Sequence, residues 1–165
     1  MAHNTLEQIF EHNTWANLQI IRACYALSDE QLDATPDSAT KGSIRETLLH
    51  QVGSQVGYLA LLTLPPEKRP SIRPAFDELE QSVHVTGKAL VDLVRHESTS
   101  PSETWLRTTN GYEVAPWVVL LQAINHATEH REQIKSMLSA LGITPPDIDG
   151  WTFGQATGAL IPTSS

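Results

Sequence analysis

The chain has 165 residues, the length of one domain, and 40% of them are apolar, enough for a core and too many for a disordered chain. Lys and Arg number 11 against 19 Asp and Glu, and the resulting charge of −8 opposes binding to nucleic-acid phosphates or an anionic membrane surface. No run approaches the ~18 apolar residues of a membrane helix. Residues 1–10 lack a secretory pattern, and the one cysteine, Cys24, can close no internal disulfide, so a cytoplasmic chain is expected.

In chain order, four stretches carry helical periodicity. The first, over 5–27, places Leu6, Ile9, Phe10, Ile20, Cys24 and Leu27 on one face, and Asn13, Ala16 and Asn17 continue the stripe. Ser28 with Gln31 three residues on is a capping box, and Pro36 keeps the helix it starts short. The second stretch, over 43–64, opens on the capping box of Ser43 and Glu46. Its apolar face is Ile44, Leu48, Leu49, Val52, Val56 and Leu59, and Pro65-Pro66 stops it. On a helical wheel His50 falls nearly opposite that face, beside Glu46, Gly53, Ser54 and Gly57. A helical glycine costs roughly 1 kcal/mol against alanine. Two of them about one turn apart suggest a close approach by another helix or a ligand.

The third stretch, over 74–96, carries Phe76, Leu79, Val83, Leu90, Leu93 and Val94. Asn110-Gly111 then stands between β-prone runs over 104–109 and 112–114, which predicts a small hairpin or an extended excursion. The fourth, over 116–141, starts on Pro116 and carries Leu120, Leu121, Ile124, Ala127, Ile134, Leu138 and Leu141, with Gly142 as its cap. A short segment over 148–159 contains Trp151 and Phe153. The pattern predicts an all-α four-helix bundle, one domain over 1–165, with the excursion before the last long helix. A modest link over 64–74 and a long third connection permit a topology other than strict up-down-up-down.

His126 and His130, at i and i+4, share a helix face and can reach one cation. The motif is not HExxH, because Ala127 stands where a metalloprotease has its glutamate. With one cysteine, any metal site here is built from imidazole and carboxylate. His50, among small residues, is the best third ligand. His3, His12, His84 and His96 read as surface residues, with His12 in reserve. Three histidines without a fourth protein ligand leave a coordination position open, the arrangement of a catalytic site. Such a set suits Zn, Ni, Cu or Fe. The plainer alternative is a pair of core-edge histidines hydrogen-bonded to carbonyls or water.

These residues bring a family into view. His12-Asn13-Thr14-Trp15-Ala16-Asn17 is similar to a YNxWAN pattern, and Ser43 to His50 looks like a capped second helix ending at a ligand histidine. Asn125 to Gln133 looks like NHxxxHRGQ, and Pro145-Pro146-Asp147-Ile148-Asp149 like PPDxD. Over nearly its whole length the chain resembles the DinB-like (YfiT-like) family of metal-dependent bundle proteins. The resemblance implies a four-helix bundle, often a homodimer, with His50, His126 and His130 as ligands of a divalent transition metal, zinc or nickel before others. It implies a transferase or isomerase using a low-molecular-weight thiol on a small-molecule substrate. Glu132 replaces the family's glycine and His12 its tyrosine; neither is a proposed ligand, but both leave the pocket chemistry open.

Other residues admit two readings each. Trp15 and Trp151 can wall a pocket or simply bury area. Asn13 and Asn17 can bind a ligand, orient a histidine or link helices. Arg131 can hold a substrate carboxylate or pair with a neighbouring Glu. Glu46 can orient His50 or act as a base, although capping already explains it. Cys24 reads as a small buried residue. Besides the thiol enzyme, the residues allow a non-catalytic metal-binding or dimerisation bundle and a metal-dependent hydrolase.

Overall fold

The computed structural model describes residues 4–37, 39, 42–71, 73–97 and 104–163. Helix α1 (Thr5–Tyr25) is capped by Asn4, whose side-chain oxygen accepts the Leu6 N–H at 3.1 Å. The short α2 (Asp29–Asp33) and the long α3 (Ile44–Thr63) both open on the expected capping boxes, Ser28 with Gln31 and Ser43 with Glu46. Helix α4 (Leu79–Glu97) begins five residues later than position 74. The preceding residues form a single tight turn, Phe76–Glu78, where Glu78 accepts the Ala75 N–H at 3.0 Å. The excursion is a hairpin: β1 (Leu106–Arg107) pairs antiparallel with β2 (Glu113–Val114), Leu106 opposite Val114.

Helix α5 (Pro116–Ala140) ends where Gly142 takes φ +74°. The Gly142 and Ile143 N–H groups return to the Ser139 and Leu138 carbonyls at 3.0 and 2.9 Å, the paired bonds of a Schellman cap. Helix α6 (Gly150–Ala156) follows, capped by Asp149. The molecule is an all-α bundle of α1, α3, α4 and α5, and none of its described helices is long and apolar enough to cross a membrane.

Two apolar clusters fill the bundle, one around Ile20, Ile44, Leu48, Leu79, Val83, Ile134 and Leu138, the other around Phe10, Leu90, Val94 and Leu120. They also give the topology. Helices α1 and α5 run from the second cluster to the first, whereas α3 and α4 run from the first to the second. The order is therefore up, down, down, up. The connection after α3 must return along the length of the bundle, so the link read from sequence as modest is a crossover.

Three residues expected in the core are outside it: Leu6, Ile9 and Leu121 are 37%, 41% and 51% exposed. The buried face of α1 is centred on Phe10, Asn13 and Asn17, and Leu6 and Ile9 fall at its edge in the first turns. On α5, Leu120 and Ala123 take the inner face and turn Leu121 outward.

Candidate metal centre

Between the two apolar clusters lies a polar layer. Arg131, 3% exposed, donates from Nη1 to Asn13 Oδ1 and Asn17 Oδ1, both at 2.6 Å, and from Nη2 to Thr128 Oγ1 at 2.9 Å. Gln51 Nε2 donates to Asn17 Oδ1 at 2.7 Å, Asn17 Nδ2 to Gln55 Oε1 at 3.0 Å, and Gln55 Nε2 to Thr86 Oγ1 at 2.6 Å. Four helices are thus joined through a network around a cation that has no carboxylate partner among the described residues. Burial lowers the Arg131 pKa to about 10, so the guanidinium is still charged at neutral pH. Arg131 therefore neither meets a substrate nor pairs with a glutamate. Asn13 and Asn17 link helices, and the neighbouring Glu132 pairs instead with Lys135 at 3.1 Å.

One residue away on each helix stands a second set of polar groups. His50 on α3 and His126 and His130 on α5 converge, with ligand nitrogens all within 4.8 Å of one another. His126 Nε2 lies 3.0 Å from His50 Nε2 and 3.1 Å from His130 Nε2. The burial is graded: His130 is buried, His126 half-buried and His50 exposed. His130 Nδ1 donates to Gln133 Oε1 at 2.8 Å, which leaves Nε2 as the unprotonated nitrogen facing the cluster. The Tyr58 ring stands edge-on to His126 at 5.7 Å, and burial raises its hydroxyl pKa.

The donor set fits a divalent transition ion. Tetrahedral zinc with Zn–N bonds of about 2.0–2.1 Å sets its nitrogens roughly 3.4 Å apart. The His50–His126 and His126–His130 separations, 3.0 and 3.1 Å, fall within a few tenths of an ångström of that value, and the third pair lies within 4.8 Å. Three neutral imidazoles without a thiolate also match the N-donor chemistry of zinc, nickel, copper or iron.

The DinB family model matches residues 1–162 of the chain. The chain belongs to the DinB family. The motifs quoted above that suggested it are spread from α1 to the segment after α5. No curated protein matches the chain.

Within this DinB bundle the remaining candidate residues take other places. His12 Nε2 donates to the Ile148 carbonyl at 2.8 Å and packs with Trp15 and Phe153, fastening α6 to α1. It is not part of the cluster. Trp15 belongs to that aromatic contact, while Trp151 is 73% exposed. His84 and His96 are exposed on α4, and His3 lies outside the described residues. Glu46 is held by its cap, its Oε2 accepting the Ser43 N–H at 2.9 Å. Cys24 is fully buried, and burial pushes its thiol pKa up to about 12, so it is no nucleophile at neutral pH. The sequence reading placed Gln133 in the NHxxxHRGQ-like motif but gave it no role, although its place three residues after His130 could have revealed one. It also missed Tyr58, which the bundle packing brings to His126.

Proposed function

We propose that this protein is a metal-dependent enzyme in which His50, His126 and His130 hold a divalent transition ion, zinc or nickel, and a low-molecular-weight thiol reacts with a small electrophile in transferase or isomerase chemistry. The observation that carries this reading is the convergence of three imidazole nitrogens within 4.8 Å, on a cluster whose His50 side is exposed. A metal in such a site raises the thiolate fraction of a bound thiol at neutral pH. The chain's own residues do the rest. Gln133 fixes the His130 ring and tautomer through its 2.8 Å bond. The buried layer behind the cluster fixes α3 against α5. Tyr58 presents its ring edge to His126.

A three-histidine site can also activate water. The hydrolase reading is weaker, because Glu46, the one carboxylate considered as a base, is held by its capping bond. A non-catalytic bundle remains the alternative if metal binds and no turnover follows. The same proposal places the chain in the cytoplasm, where Cys24 stays reduced, and as a homodimer. Exposed Trp117, Val118 and Leu121 on one end of α5 support the dimer, since apolar side chains gathered on a surface mark interaction sites.

The test is thiol consumption with a panel of small electrophiles, using zinc- or nickel-loaded protein, chelated protein and the His126→Ala variant. Turnover is expected only in the loaded wild type. Equal rates in all three preparations would refute the metal-dependent reading.

A further inference from the structure

We propose that Arg73 forms a carboxylate-binding subsite beside His50, so that the small molecule meeting the metal centre carries an acid group within reach of it. The inference rests on the metal reading above and names the class of ligand for that site.

The argument begins with the crossover. It carries Arg69, Pro70, Ser71 and Arg73 back along α3, over the face that holds Gly53 and Gly57. No helix closes on those glycines. Among the described residues, a Cβ at Gly57 would meet nothing within 4 Å, and one at Gly53 would meet only Arg73 Cγ, at 3.8 Å. Of the two readings of the glycine pair, close helix packing therefore falls away, and an open groove remains. Its volume is about 380 Å³, and His50, Gly53, Ser54, Gly57, Ser71 and Arg73 are among its lining residues. That size suits a small molecule. Gly53 lies three residues after His50, so the two share a helix face about one turn apart. The Arg73 stem, 3.8 Å from where a Cβ on Gly53 would stand, thus lines the groove about one turn from the outermost histidine of the cluster.

The charge at Arg73 is the second observation. Among the described residues the other arginines are engaged. Arg22, Arg45, Arg95 and Arg107 pair with carboxylates. Arg69 donates to the Leu64 and Arg107 carbonyls, at 3.0 and 2.5 Å, tying the crossover to the hairpin. Arg131 is consumed by amides. Arg73 has no ion pair among the described residues, in a chain of net charge −8. A guanidinium matches a carboxylate by two parallel N–H···O bonds, and Ser54 and Ser71 add hydroxyl donors in the same groove. The anion-binding role that the sequence offered to Arg131 passes to this residue.

The test is calorimetric titration of zinc-loaded protein with 3-mercaptopropionate and with its methyl ester, for wild type, Arg73→Gln and Arg73→Lys, with zinc content and circular dichroism recorded for each. Arg73→Gln is expected to weaken the acid about tenfold, in line with a hydrogen bond to a charged group, and to leave the ester unchanged. Arg73→Lys should keep part of the affinity. Wild type and Arg73→Gln binding the acid equally, or losing acid and ester alike, would overturn the proposal, as would wild type failing to bind the acid. If no zinc binds, the metal reading fails on its own. The subsite is then read in metal-free protein from the Gly53 and Ser54 amide NMR shifts on adding succinate. Shifts present in wild type and lost in Arg73→Gln support the subsite, and their absence in wild type overturns it.

Discussion

Helices α3 and α5 carry two polar regions that begin one residue apart, His50 beside Gln51 and His130 beside Arg131, and the two have opposite fates. The Arg131 layer is buried: its amides, hydroxyls and guanidinium bond to one another across four helices, and of these groups Gln51 Oε1 is left without a hydrogen-bond partner among the described residues. The histidine cluster is open: three ring nitrogens face one another, and the outermost ring lines a groove. A helix turns about 100° per residue, so neighbours in sequence serve different surfaces. The comparison teaches a division of labour. A buried network tolerates no slip of one helix against another, because any slip strands buried polar atoms. It therefore holds α3 and α5 in the one register that brings His50 to His126 and His130.

The comparison can be broken first at Arg131. Arg131→Ala should cost about 3 kcal/mol of stability, because buried oxygens on Asn13 and Asn17 lose a charged donor. It should also weaken metal binding although Arg131 touches no ligand. Urea denaturation and a metal-competition titration read the two effects, and a variant as stable as wild type would show that the layer fixes nothing. Gln55→Ala should cost about 2 kcal/mol, since it strands Asn17 Nδ2 in the same layer, while Thr86 Oγ1 keeps its bond to the Ser82 carbonyl.

On the open side the pattern reverses. Gln133→Ala should leave the metal-free protein as stable as wild type but weaken metal binding about tenfold, roughly 1.4 kcal/mol, by releasing the His130 ring. A loss of stability without a loss of affinity would reassign Gln133 to the fold. The smallest effect is expected at an exposed pair. Arg22→Ala, at the half-exposed bridge to Glu80, should change stability by less than about 0.5 kcal/mol. A larger change would blur the contrast between closed and exposed polar contacts.

Much of this was legible in the sequence. The helices follow the 3.6-residue pattern, the two capping boxes are where Ser28 and Ser43 announced them, and Asn110-Gly111 marked the hairpin. The three histidines were legible because two sit on one helix face and the third stands among small residues. What local pattern could not supply was long-range. Arg131 meets Asn13 and Asn17 across more than a hundred residues, and nothing in the adjacent sequence distinguishes a buried guanidinium from a surface one. The sequence left the crossover open, permitting a topology other than strict up-down-up-down, because loop length alone does not say whether two helices run parallel. Arg73 was overlooked for the same reason: it lies on that crossover, where no periodicity assigns a face.

The most direct measurement is metal content by plasma mass spectrometry on untagged protein, for wild type and for His50→Ala, His126→Ala and His130→Ala, each checked for helical content. The account predicts about one divalent transition ion per chain in wild type, and its loss in all three folded variants. A wild-type protein that holds no metal and takes up none from zinc or nickel solutions, or variants that keep the ion, would contradict it.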